Sequence, residues 1–199
     1  IVDTVAEYGI PVAPISKDSA FEQYEVQVLF SYLYLVNNPY DDVKLTTFLI
    51  SPLVGLNEQD LADIRIYANK KTSTENSQDE VSPRACARAC VNYYDCVFLY
   101  LENKNVLADK LRKAMSLIEE GAEKLQNDTI YNLLNYICNK TNYFAFISSL
   151  DDGQNRLKNV RGYINNFIGK KYNTDLSEYL SSVEQAQDAP VITPEYTVG

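Results

Sequence analysis

The residue types that carry most protein chemistry are scarce in this chain of 199 residues, and their spacing favours structure over catalysis. Histidine is absent, which removes the commonest general base and metal ligand. The carboxylate pairs Asp41-Asp42 and Asp151-Asp152 have the composition of an acid/base site, but each stands at a predicted helix start or turn. We therefore interpret these pairs as helix caps and expect no catalytic residue in this chain.

The four cysteines are Cys86, Cys90, Cys96 and Cys138. Their spacing contains no CxxC pair and does not match a zinc site, so we expect no bound metal. Cys86, Cys90 and Cys138 fall on apolar stripes of predicted helices, which favours buried, reduced, structural thiols. Reduced thiols without a visible signal peptide predict a cytoplasmic protein.

The bulk composition narrows the classes of function. A hydrophobic content of 46% excludes a wholly disordered chain, and no apolar run approaches the roughly 20 residues that span a bilayer. The net charge of -9 argues against a protein that wraps nucleic acid by bulk electrostatics. The only methionine is Met115, so we expect this sequence to be a piece of a longer protein.

The turn Ser51-Pro52-Leu53-Val54-Gly55-Leu56-Asn57 has the strongest potential for ligand contact. A short turn between two helices can direct backbone N–H groups and a helix start at one phosphate. Gly55 permits close approach of the backbone, and Asn57 is a good N-cap for the next helix. On spacing alone, an ordinary helix–helix turn explains the same residues.

The elements that position this turn are predicted helices, because apolar residues recur along the chain at three- and four-residue steps. We predict an all-α, multi-helix domain over residues 18–184, with a mobile loop at 69–83. Short extended segments lie at both ends, a leading segment over 1–17 and an exit segment over 185–199. Lysines and arginines gather in modest clusters, which we interpret as solvated faces. They are Lys70-Lys71, Lys110 with Arg112-Lys113, Arg156 to Arg161, and Lys170-Lys171.

Several motifs, taken in order, resemble the accessory 2B subdomain of the UvrD/PcrA/Rep group of superfamily 1 DNA helicases, and most of all the AddA branch. The matching segments are Phe21 with Glu25-Val26, Tyr32 to Asp42, Ser51 to Leu56, Leu61 to Arg65, and Gly153 to Val160. Shorter likenesses occur at Gly9 to Val12, at Leu176 to Val183 and at Asp188 to Gly199. Where the family has a second glycine, this chain has Asn57.

The resemblance implies a non-catalytic accessory domain of an ATP-dependent DNA helicase or exonuclease that acts in DNA repair and recombination. ATP and Mg would bind elsewhere in the parent protein, and this fragment would hold no cofactor. Carried over by position, contact with duplex DNA falls on Gly55, Leu56 and Asn57. The implied partners are duplex DNA, the rest of the helicase motor and an AddB-like subunit, with no membrane. The alternative is an all-α protein–protein interaction domain without a DNA role, which the acidic charge favours.

Overall fold

The computed structural model describes residues 23–75 and 92–188, and every regular element in these two ranges is helical. This confirms the all-α prediction, whereas the predicted leading segment at 1–17 and residues 189–199 of the predicted exit segment lie outside the described residues. The elements are α1 (Tyr24–Asn37), α2 (Asp42–Ile50), α3 (Glu58–Glu75), α4 (Tyr93–Tyr100), α5 (Val106–Leu125), α6 (Ile130–Lys140), α7 (Tyr143–Ser148), α8 (Gly153–Asn165), a 3₁₀ turn (Lys171–Thr174) and α9 (Leu176–Asp188).

Helix α1 lies at the centre of the fold and packs against α2, α5, α8 and α9. Most of its side chains are buried, and the Tyr32 phenol donates a hydrogen bond of 3.0 Å to the carbonyl of Leu117 on α5. The helix ends at Asn37, because Pro39 disfavours a helical conformation in the residue before it. The position of α1 makes it the scaffold on which the outer helices are fixed.

A buried ion pair joins the start of α1 to α8. The Glu25 carboxylate is fully buried and accepts hydrogen bonds of 3.1 Å from both Arg156 Nη1 and Asn159 Nδ2. A Cβ at Gly153, where α8 begins, would lie 2.4 Å from the carbonyl oxygen of Ser148. Two motif segments that are far apart in the sequence, around Glu25 and from Gly153 to Val160, therefore meet in one contact.

Two predicted boundaries are wrong. Helix α3 continues to Glu75, so residues 69–75 are helical rather than part of a loop, and the rest of the predicted loop to 83 lies outside the described ranges. No glycine or proline occurs between Glu58 and Pro83, so polarity alone did not end the helix. Likewise α9 continues to Asp188, past the predicted start of the exit segment at 185, and the first helix-breaking residue is Pro190.

The start of α4 also differs from prediction. The periodicity predicts one helix over 85–101, but Asn92 is extended and caps a helix that begins at Tyr93, with its side chain accepting from the Asp95 N–H at 2.9 Å. An N-cap residue has non-helical backbone angles, so a continuous helix through Asn92 is excluded.

Candidate nucleic-acid interface

The turn between α2 and α3 is compact and closes on its own backbone. Ser51 is buried, and its carbonyl accepts from the N–H groups of Val54 at 3.0 Å and Gly55 at 2.8 Å. The Leu56 N–H donates to the carbonyl of Leu49 at 3.0 Å. Gly55 has a φ of +74° and is exposed, with open space where a Cβ would stand. The backbone conformation thus favours glycine, which presents a bare surface to solvent.

Asn57 forms a reciprocal cap with Asp60 at the start of α3. The Asp60 N–H donates to Asn57 Oδ1 at 2.8 Å, and the Asn57 N–H donates to Asp60 Oδ2 at 3.0 Å. The structure therefore confirms Asn57 as an N-cap, in the arrangement of a capping box.

These hydrogen bonds change how the turn would meet a phosphate. The N–H groups of Gly55, Leu56 and Asn57 all donate within the chain, so they are not oriented as a free set of phosphate donors. The closed turn uses the N–H groups of Gly55 and Leu56, and the capping box uses that of Asn57. Sequence spacing could not reveal these internal hydrogen bonds. An anion at this turn would meet the exposed surface of Gly55 and any cation beside it.

Lys110 is that cation. It is exposed on α5, and its Nζ donates to the carbonyl of Gly55 at 3.2 Å. The hydrogen bond joins one of the basic clusters of the sequence to the turn, across 55 residues of chain.

A groove of about 560 Å³ runs beside the turn, between Leu53, helix α5 and the end of α6. Three cationic side chains and one carboxylate line it, namely Arg112, Lys113, Lys140 and Glu120. Glu120 pairs with Lys140 and also accepts from the Tyr136 hydroxyl at 2.9 Å. The hydrogen bond from Lys140, followed by that from Tyr136, is the largest cause that holds the pKa of Glu120 below its usual range. The same hydrogen bond to Glu120 raises the pKa of Lys140.

Arg112 is committed to the protein. It pairs with Asp109 at 2.6 Å and donates to the carbonyls of Leu101 and Asn103, also at 2.6 Å. Lys113, by contrast, is exposed and has no hydrogen bond or ion pair to any residue in the described ranges. Its charge is therefore the one in the groove that is least compensated by the neighbouring side chains.

The other basic clusters have structural partners. Arg156 binds Glu25, Lys71 pairs with Glu102, and the Arg161 guanidinium lies 5.8 Å from the centre of the Phe144 ring. In two of the clusters, therefore, cations are committed to the fold, where the sequence predicts solvated faces.

The prediction that both carboxylate pairs are helix caps is confirmed only in part. Asp41 caps α2 by accepting from the Lys44 N–H at 2.8 Å, while Asp42 accepts from the Tyr93 N–H at 2.6 Å. Asp152 holds the N-cap position of α8 without capping its backbone, and its carboxylate instead accepts from Asn155 Nδ2 at 2.7 Å.

The two cysteines in the described ranges are buried thiols. They are Cys96 and Cys138, and burial raises the pKa of the Cys138 thiol to about 12. Cys86 and Cys90 lie outside the described residues. Within 23–75 and 92–188, no cluster of histidine, cysteine and acidic residues is placed to hold a metal ion. None of the helices in those ranges combines the length and apolar character needed to cross a membrane.

Comparison with known proteins gives relatives with one shared description, the AddA subunit of an ATP-dependent helicase/nuclease. No family model matches the chain. It is 27% identical to that protein of Oceanobacillus iheyensis, over 81% of this chain and 12% of the relative. The protein of the same name from Bacillus licheniformis is 29% identical, with the same two shares, and that from Latilactobacillus sakei is 26% identical over 98% of this chain and 21% of the relative.

The chain thus spans only about an eighth to a fifth of the length of these relatives. The shared description agrees with the family that the motifs indicated, so the resemblance is confirmed on grounds independent of any single motif. Over most of its length, this chain is similar to one segment of the AddA proteins of ATP-dependent helicase/nucleases.

Proposed function

We propose that this chain is the non-catalytic accessory domain of an AddA-like ATP-dependent helicase and exonuclease that works in DNA repair and recombination. In this proposal, it contacts duplex DNA through Gly55, Leu56 and Asn57 and regulates the motor by moving as a rigid unit. The observation that carries the proposal is the similarity, over 81% to 98% of the chain, to a segment of AddA-type helicase/nuclease proteins.

The packing of the first described helix against the last is compatible with an inserted domain. The first and last of them, α1 and α9, pack together, and Ser177 Oγ at the start of α9 donates to Asn37 Oδ1 at the end of α1 at 3.2 Å. A domain inserted into a motor must leave and re-enter its host at neighbouring points. ATP and Mg would bind to the motor, since the sequence contains no GxxxxGK[ST] loop. A cytoplasmic location fits such a role.

A second candidate function is a protein–protein interaction domain, for example one that docks an AddB-like subunit. The acidic net charge favours it, as do three exposed apolar side chains that lie on or just before α2 and on α4, two helices that pack together. Tyr40 is 56%, Val43 70% and Phe98 65% exposed. Large exposed apolar side chains that gather in one region are a feature of interaction surfaces.

A glycine substitution with a matched control tests the DNA role. Gly55→Asn adds a side chain at the turn, and asparagine is the residue that most readily enters the left-handed region after glycine. Gly169 has nearly the same backbone, with a φ of +70° and open space at Cβ, so Gly169→Asn controls for strain. Fluorescence anisotropy with a labelled DNA duplex measures the affinity of each chain at low salt.

We expect Gly55→Asn to weaken duplex binding about tenfold, the equivalent of one hydrogen bond to a charged group, because the new side chain keeps the phosphate at a distance. Gly169→Asn should bind like the parent chain. Equal affinity of all three chains, or no duplex binding by the unsubstituted chain, would contradict the DNA role and favour the interaction domain.

A further inference from the structure

We propose that the groove between the α2–α3 turn, α5 and α6 is a track for the sugar–phosphate backbone of a DNA duplex, with Lys110 and Lys113 supplying the cationic contacts. This inference rests on the proposed function, because it names the groups that would bind DNA beside Gly55. It differs in assigning the attraction to side chains of α5 rather than to the backbone N–H groups of the turn.

The first argument comes from the donors of the turn. The N–H groups of Gly55, Leu56 and Asn57 are all hydrogen-bonded inside the chain. A phosphate that approaches the bare surface of Gly55 therefore needs a positive charge from elsewhere. Lys110 lies within 3.2 Å of the Gly55 carbonyl and is exposed, so it already stands at that position.

The second argument comes from charge balance in the groove. Lys140 offsets Glu120, and Asp109 offsets Arg112, so the nearby carboxylates are already paired with cations. Lys113 has no such partner among the residues of the described ranges, and Lys110 binds only a carbonyl oxygen. A local excess of positive charge thus remains in a chain whose net charge is -9, with Lys113 lining the open groove and Lys110 at the adjoining turn.

The third argument comes from spacing and direction. Lys110 and Lys113 are three residues apart on the exposed side of α5, so their Cβ atoms are about 5–6 Å apart. Such a spacing suits successive phosphates of one strand, and lysine contacts to phosphates do not depend on base sequence. Beyond Glu120 the next recess is lined by two carboxylates and one lysine, namely Glu120, Glu123 and Lys124, together with Tyr136. Lys110 and Lys113 therefore lie on the part of α5 that is nearer to the turn, where Lys110 contacts the Gly55 carbonyl.

A charge reversal in the groove tests the inference, in the same anisotropy assay as above. The variant is Lys113→Glu, whose side chain is exposed and carries no structural hydrogen bond. The matched control is Lys158→Glu on α8, which is exposed, lines no part of the groove and has only a 3.5 Å contact with Asn155. Lys113→Arg keeps the charge, and far-UV circular dichroism verifies that each variant is folded.

We expect Lys113→Glu to weaken duplex binding about tenfold and to make the logarithmic salt dependence shallower by about 1, the change for one lost phosphate contact. Lys158→Glu should stay within about twofold of the unsubstituted chain, because Lys158 lines no part of the groove. Lys113→Arg should bind like the parent.

Three results would contradict the proposal that the groove binds the DNA backbone. The first is equal loss in Lys113→Glu and Lys158→Glu, which would reflect net charge alone. The second is an unchanged Lys113→Glu when Gly55→Asn binds weakly, which would leave the proposed function standing without the groove. The third is competition by a poly-glutamate peptide as strong as that of unlabelled duplex, which would assign the groove to an acidic protein segment. No duplex binding by the parent chain would reject both proposals.

Discussion

At the scale of single residues, small polar side chains satisfy the first free N–H groups of several helices. A side-chain oxygen accepts from the N–H three residues later at Asp41, Asn57, Asn92, Asn105 and Thr129. Each such cap is worth about 1 kcal/mol, so these residues have structural reasons for their identity. Asn57 therefore has a firm role in the fold whether or not it also contacts DNA.

The contacts of the Asp128 carboxylate lower the pKa of this residue. Its carboxylate accepts from Asn132 Nδ2 at 2.5 Å and from the Thr129 N–H at 2.8 Å, and it pairs with Lys124. These contacts lower the pKa of Asp128 from 3.8 to about 2, and the hydrogen bond from Asn132 makes the largest contribution. Thr129 is the N-cap of α6, and Asp128 supports it from the preceding position.

A pH dependence follows from that lowered pKa. The folded state favours the ionised carboxylate, so its stabilisation is complete above the unfolded pKa and is lost as the pH falls from about 4 to about 2. We expect the difference in unfolding free energy between the parent chain and Asp128→Asn to be constant above pH 5 and to shrink below pH 4. Urea unfolding at pH 6, 5, 3.5 and 2.5 measures it, and parallel curves for the two chains would contradict the assignment.

At the scale of elements, the close contact between α1 and α5 depends on one glycine. A Cβ at Gly121 would lie 2.3 Å from the Tyr32 hydroxyl and 2.9 Å from Val36 Cγ2. The Tyr32 hydroxyl is held in place by its hydrogen bond to the Leu117 carbonyl, so it cannot move away without losing that bond. Glycine is otherwise unfavourable inside a helix, which indicates that packing accounts for its presence here.

Two glycine-to-alanine substitutions separate packing from helix propensity. We expect Gly121→Ala to destabilise the chain by about 1–3 kcal/mol, as overpacked cores do. Gly162, within α8, has open space within 4 Å of the position that a Cβ would take, so Gly162→Ala should instead stabilise by about 0.5–1 kcal/mol. Thermal and urea unfolding give both values, and a gain of stability in Gly121→Ala would refute the close contact.

At the scale of the whole molecule, Glu25 joins parts of the chain that are far apart. Its carboxylate binds Arg156 across 131 residues and Asn159 across 134. The Tyr143 hydroxyl also donates to the Glu25 carbonyl at 2.9 Å, and burial raises the pKa of that phenol. The start of α1 is thereby tied to α7 and α8, on the side of the domain where the described chain begins.

A double-mutant cycle measures this tie. Arg156→Ala leaves a fully buried carboxylate without its cation, and we expect a loss of about 1–3 kcal/mol, moderated because the Arg156 side chain is 38% exposed. In a Glu25→Gln background the same change should cost clearly less. Arg161→Ala, on the exposed side of the same helix, is the control and should cost under about 1 kcal/mol. Equal costs of Arg156→Ala in the two backgrounds would rule out the ion pair.

The sequence by itself determined the helical class, most helix starts and the turn at Gly55, because caps, proline stops and three- to four-residue periodicity act within a few residues of each other. It missed the continuation of α3 to Glu75, since polar residues without glycine or proline can extend a helix as readily as form a loop. The family resemblance could also be identified from the sequence, because it depends on short local motifs.

Only the tertiary structure decided which distant residues share a contact. Glu25 meets Arg156, Gly121 meets Tyr32, and Lys110 reaches the Gly55 carbonyl because helix packing brings separated segments together. The groove beside the turn also needs Lys140, whose place next to Lys113 has no signature in local spacing. Tertiary structure further showed that the N–H groups of the turn are used internally, since hydrogen-bond partners depend on how a turn closes and not on its composition.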